Sequence, residues 1–222
     1  MQPAVSPAGR ARETLPDVKL LSLAIVVVIG ALGVDLAKAN GDTPAASPSA
    51  AYLHYLPDGR VEMPKDYRDW AFLSSGMDMS YSAGGTGMDH HMFDNVFVDR
   101  DGVSAFKETG TWPDGTVFAM ENREGLTKGS INKSGEFQAE PVMGLELHVK
   151  DSVRFKGGWA FFAFGDNGPA KQIPTSVACY SCHQAHAAVD TTFVQFYPTL
   201  IGIAREKKTL SAGYLSDTKT EH

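Results

Sequence analysis

Apolar and polar residues alternate along several short stretches of this chain. Over 92–99, Phe93 and Phe97 fall on one face of a period of two, Val96 and Val98 on the other, and Asp99-Arg100-Asp101-Gly102 closes the run. That pattern predicts a strand ending in a turn. Residues 116–121, 144–149 and 159–164 are rich in β-branched and aromatic side chains and read as further strands. Residues 66–74 follow Pro64 and are expected to open as a short helical turn and continue extended. A short helix is expected over 102–109, stopped by Gly110. Asp114-Gly115 and Lys156-Gly157-Gly158 are turn signals of the kind that join antiparallel neighbours. After residue 183 the spacing of Ala187, Phe193, Phe196, Tyr197, Leu200 and Ile203 approaches a helical period, with Pro198 set to break or kink it. The expected fold class is α+β: mainly antiparallel sheet, short packed helices, and a helix near the C-terminus.

The ends of the chain change character. Arg10, Arg12 and Lys19 precede a fifteen-residue apolar run over 20–34, and Ala37-Lys38-Ala39 supplies a small-x-small pattern. Residues 1–39 therefore read as an export signal, cleaved after Ala39 or kept as an N-terminal anchor. Export places the rest of the chain in the periplasm. Residues 40–52 have the composition of a flexible linker, 53–206 form one domain, and 207–222 are a polar tail expected to fray.

Composition narrows the function. Of the 222 residues 43% are hydrophobic and 21% charged, as in globular proteins. The net charge is −6 and the Lys and Arg residues are scattered, which argues against a nucleic-acid partner. Only two cysteines occur, so no disulfide framework supports the fold.

Both cysteines lie in Cys179-Tyr180-Ser181-Cys182-His183. Cys-x-x-Cys-His is the attachment signature of a c-type haem. Two thiols must reach two vinyl groups on one edge of the macrocycle, and an adjacent imidazole must turn under the iron. The expected cofactor is one covalent haem c, with His183 as the proximal iron ligand. A redox dithiol would need this motif early in a βαβ unit. A zinc site from Cys179, Cys182, His183 and His186 would crowd four ligands into eight residues. His186, on the same element as His183, is expected at the surface or against a haem propionate.

Further pieces resemble the cytochrome P-460 family, which includes the beta-type cytochromes c-prime. They are Met63-Pro64-Lys65-Asp66-Tyr67-Arg68-Asp69-Trp70, Asp114-Gly115-Thr116-Val117-Phe118, the runs 144–155 and 159–165, the haem motif, and Gln195-Phe196-Tyr197-Pro198. The resemblance spans about 53–204. It implies a mostly antiparallel fold, a single c-type haem with a proximal histidine, and a homodimer. It also implies two functional classes: hydroxylamine oxidisers with a lysine cross-linked to the haem, and binders of small gases that lack this bond. In cross-linked members the lysine comes two residues after a Thr-Val-Phe segment. Here that position is Met120, and only Lys128 and Lys133 lie nearby in sequence.

Met120 is accordingly expected to cap an open iron, to ligate it, or simply to fill core space. Phe118, Phe93 and Phe97 are expected to complete an apolar distal wall, which would favour nitric oxide or carbon monoxide as ligand. Catalysis would need a proton-handling group near the iron, and Glu140 and Glu121 are the candidates. The leading expectation is a five-coordinate gas-binding cytochrome. A hydroxylamine- or nitrogen-oxide-converting oxidoreductase and a His/Met electron carrier with a periplasmic redox partner stand behind it.

Overall fold

A computed structural model of the chain describes residues 47–81, 90–165 and 168–220. The expected export signal, and the linker up to residue 46, lie outside the described residues. The expected strands form one antiparallel sheet in the order β1 (Ala71–Met77), β2 (Met92–Val98), β3 (Val117–Leu126), β5 (Gly144–Lys150) and β6 (Trp159–Phe164). A two-residue strand, β4 (Phe137–Gln138), pairs with the far end of β3. β3 runs five residues beyond its expected end because β2 continues to pair with it as far as Glu124. The α+β reading holds: the sheet carries helices α1 (Arg100–Thr109), α2 (Ala178–His186), α3 (Ile201–Lys207) and α4 (Ala212–Thr220).

The sheet has two differently used faces. Val117, Ala119, Leu145, Leu147, Val149 and Phe162 pack beneath Leu53, Val61, Tyr67, Trp70 and Phe155. On the other face Val98, Phe118 and Trp159 pack against Val103 and Phe106 of α1 and against Val194, Leu200 and Ala204. Burying a side chain such as Phe106 contributes roughly 2–3 kcal/mol. α1 begins two residues earlier than its sequence suggests, since Asp99 caps it by accepting from the Gly102 amide at 2.6 Å. The same carboxylate accepts from the Val117 amide at 2.6 Å, so one buried side chain fixes both α1 and the start of β3.

Glu121, one residue after Met120, points into the first of these faces. It is 2% exposed and takes hydrogen bonds from Tyr67, from Arg68 at 2.8 Å, and from Arg123. Burial alone would raise its pKa. The donors from Arg123, Tyr67 and Arg68 outweigh that and bring it down to about 2.

Three stretches depart from expectation. The residues after His183 do not form one helix: α2 ends at His186, a tight turn and a 3₁₀ turn (Val194–Phe196) follow, and α3 starts only after Pro198. Asp190 and Thr191 both have positive φ, which no helix accommodates. The tail does not fray through its length. Ser211 caps α4 by accepting from the Tyr214 amide at 3.1 Å, and Tyr214 packs on the second core cluster. The linker's last residues form a 3₁₀ turn (Pro48–Ala51) whose Ser49 is buried and donates to Asp151 at 2.6 Å.

Glu121→Gln should cost about 3 kcal/mol of stability at pH 7, by urea unfolding, because two guanidinium groups lose their counter-charge. The depressed pKa contributes stability above the ordinary carboxylate range and loses it as pH falls through the folded value. The difference between wild type and variant should therefore close as pH is lowered from about 4.5 toward 2.

Candidate functional site

The motif-bearing helix α2 is moored to β6 by one side chain. The Tyr180 hydroxyl accepts from the Phe161 amide at 3.1 Å and donates to the Ile173 carbonyl at 2.9 Å. This sets Cys179 and His183 toward a cavity of about 340 Å³ against the second sheet face. Cys182 faces an adjoining groove with His186 and Tyr214. Both cysteines are half-buried free thiols, and burial pushes the Cys179 thiol up, holding it protonated.

His183 has one nitrogen committed. Its Nδ1 lies 2.8 Å from the Thr191 carbonyl, which can only accept, so Nδ1 carries the proton and Nε2 keeps its lone pair. Rings of Phe193 (4.2 Å), Phe161 (4.7 Å) and His148 (5.1 Å) surround it. Burial lowers its pKa and outweighs the Thr191 bond, which acts the other way; the imidazole is thus held neutral, the form that ligates metal. His148 stacks on Phe161 at 4.0 Å, and its Nε2 is buried with no partner. Burial first, then the neighbouring His183, push its pKa well down.

The cavity wall is mixed. Val96, Phe118, Met120 and Tyr197 line it, with Met79 and Tyr81 beside them, and so do Asp94 and Glu146. Glu146 is the cross-strand partner of Met120. Asp94 accepts from Asn122 at 2.6 Å. Burial raises the pKa of both carboxyls, and Asp94 adds to the effect on Glu146.

Several expected site residues gather here and others do not. Phe118, Met120, Cys179 and His183 line the cavity. Phe93 and Phe97 do not complete its wall, because the period of two puts them on the opposite face, where Phe97 meets Tyr67 at 5.7 Å. Glu121 faces away for the same reason. Glu140 is exposed in the segment before β5, where its backbone carbonyl accepts from Arg123; its side chain is not part of the cavity. Lys128 and Lys133 are exposed, and no lysine lines the cavity among the described residues. His186 pairs with Asp217 at 2.7 Å near the surface. The distal wall is therefore not purely apolar. The residues that sequence reasoning passed over are Asp94, Glu146, His148 and Thr191. Strand parity with Val96 was the available signal for Asp94, whereas Glu146 needed the β3–β5 register, which the long connection over 127–143 conceals.

The family model for Cytochrome P460 matches residues 64–194, more than half of the chain. The chain belongs to the cytochrome P460 family. No curated protein matches it. A cytochrome P460 is a haem-binding cytochrome, and the cavity fits that group. An aromatic-lined space, an imidazole with a free Nε2 and a fixed tautomer, and the Cys179 thiol meet there, and Cys182 sits one helical turn further on, in the adjoining groove. Of these residues, Cys179, Cys182 and His183 would hold the haem.

Carboxyls with raised pKa values oppose folding once ionised: stability declines as pH rises through the ordinary carboxylate range and stays lower above it. Glu146→Gln should therefore raise the melting temperature slightly at pH 7, the effect being kept small by solvent screening because the residue is exposed at the cavity mouth. The gain should vanish below about pH 4, where both forms are neutral when unfolded.

Proposed function

We propose that this cytochrome P460 is exported to the periplasm and carries one haem c, bonded through Cys179 and Cys182 and held on iron by His183. Its sixth position stays open to a small nitrogenous ligand such as nitric oxide. The observation that carries this reading is the Nδ1 hydrogen bond to Thr191, which commits one nitrogen of His183 and presents the other to the cavity. When bound, the haem supplies an iron that binds diatomic ligands and exchanges single electrons. The chain contributes a neutral ligating imidazole, an aromatic enclosure and a Met120-lined wall. A homodimer, and a redox partner in the same compartment, accord with the resemblance noted above.

Asp94 and Glu146 favour a second reading within the same site. Two carboxyls with raised pKa values beside Met120 can hold or accept a proton where a bound ligand would react. A reaction on hydroxylamine or a nitrogen oxide needs such a group, and mere gas storage does not. Electron transfer with both axial positions filled would instead require the Met120 sulfur on iron.

The test is the absorption spectrum of the ferrous protein, matured in an exporting host, before and after carbon monoxide. A high-spin spectrum that shifts on adding the gas is expected. A sharp low-spin spectrum unaffected by the gas would sink the open-iron reading. For the second reading, Glu146→Gln should slow hydroxylamine oxidation roughly 100-fold while leaving carbon monoxide binding intact. An unchanged rate in that variant would remove the carboxyl from the chemistry.

A further inference from the structure

The turn that supplies the Thr191 carbonyl is built from residues poorly suited to it. Residues 189–192 form a two-residue reversal, with the Val189 amide bonded to the Thr192 carbonyl at 3.3 Å and the Thr192 amide to the Val189 carbonyl at 2.8 Å. Its central residues, Asp190 and Thr191, have φ of 45° and 61°. That is the type I′ pattern, which Asn-Gly or Gly-Gly adopts without strain and a β-branched residue adopts rarely. Thr191 gains nothing from its side chain in return, since its hydroxyl oxygen is buried with no partner.

The surroundings hold the turn in this conformation. Lys150, the last residue of β5, pairs with Asp190 and also donates to the Trp112 carbonyl at 2.8 Å. Trp159 Nε1 donates to the other Asp190 oxygen at 3.2 Å. Trp112 Nε1 donates to the Thr192 hydroxyl at 2.8 Å. The clamp therefore comes from the sheet and from the segment after α1, not from the helix that carries His183.

We propose that the Lys150–Asp190 ion pair is a positioning device for the iron ligand: it fixes the strained turn so that the Thr191 carbonyl stays on His183 Nδ1, and thereby sets the donor strength of Nε2. The proposal rests on the reading of His183 as proximal ligand. A firm acceptor on Nδ1 pushes electron density onto Nε2, strengthens its bond to iron and favours the ferric state. Loosening the turn from either end weakens that acceptor and favours the ferrous state.

Direction separates positioning from simple charge. Acting through space, loss of the negative Asp190 and loss of the positive Lys150 would move the haem potential in opposite directions. Acting through the turn, both losses move it the same way. The experiment compares wild type with Asp190→Asn, Lys150→Met, the double variant and Lys150→Arg, each matured with haem. It reads the midpoint potential and the ferrous iron–histidine stretching frequency. Both single variants should raise the potential and lower the stretching frequency. The double variant should go no further than the larger single, and Lys150→Arg should return toward wild type. Should Lys150→Met fail to accumulate, Lys150→Gln, which can still donate to the Trp112 carbonyl, carries the same comparison. Opposite shifts, or none with haem in place, overturn the proposal alone. A wild-type chain that matures without haem overturns the reading of the site and this inference with it.

Discussion

A strand turns successive side chains to opposite faces, and this constraint organises the molecule. Met120 and Glu121 are neighbours in β3, yet one lines the cavity and the other lies in a buried ion cluster. The same parity sends Asp94 and Val96 toward the cavity while Asn95 and Phe97 turn away. A shift of β3 by one residue would exchange the two sets, placing Glu121 and Arg123 in the cavity and Met120 beside Arg68. The Glu121 cluster penalises that slip, because Arg68 and Tyr67, which lie outside β3, would lose the carboxylate they donate to. Asn95 extends it, donating to Glu121 at 3.3 Å and exchanging hydrogen bonds with Gln138 at 2.7 and 2.9 Å. The cluster on one face thus defines what the other face presents.

The second face combines a well-packed half with an open half that holds the cavity. Near α1 it is filled by Val98, Phe106, Trp112 and Phe118, whose aromatic rings meet at 4.2 and 4.7 Å. Toward α2 it opens, and there the side chains are poor choices for stability: two carboxyls under desolvation, a buried imidazole nitrogen with no partner, and a β-branched residue at positive φ. Such features gather where a fold serves chemistry at the expense of stability. α4 lies close on α2 beside the adjoining groove: a Cβ on Gly213 would come within 2.0 Å of the Ala185 carbonyl oxygen. Glycine is the residue that permits this approach.

Much of this could be read from the chain itself. Alternation gave β2, and β-branched and aromatic enrichment gave β5 and β6, all close to their true bounds. The haem motif pointed to Cys179 and His183, and both line the cavity with Met120 and Phe118. The reading failed where tertiary partners outweigh local pattern. The stretch after His183 has helical spacing, but Lys150, Trp112 and Trp159 pull 189–192 into a turn that local propensity disfavours. Glu146 stood unnoticed in an alternating strand, since only the pairing with Met120 shows that its outward position opens into a cavity. Glu140 was a candidate because it precedes the strand that begins at Gly144, but it is exposed there, and which side chains enter the cavity is set by strand register.

The central claim is that α2 carries a covalent haem at this cavity, and intact-mass and peptide analysis of the matured protein tests it most directly. Trypsin should release residues 172–205 as one peptide containing Cys179, Cys182 and His183. The account predicts that this peptide bears the mass of one haem through two thioether bonds, and that no lysine-containing peptide is cross-linked to it. A peptide with two free thiols, or with the two cysteines joined to each other and no haem, would contradict the account.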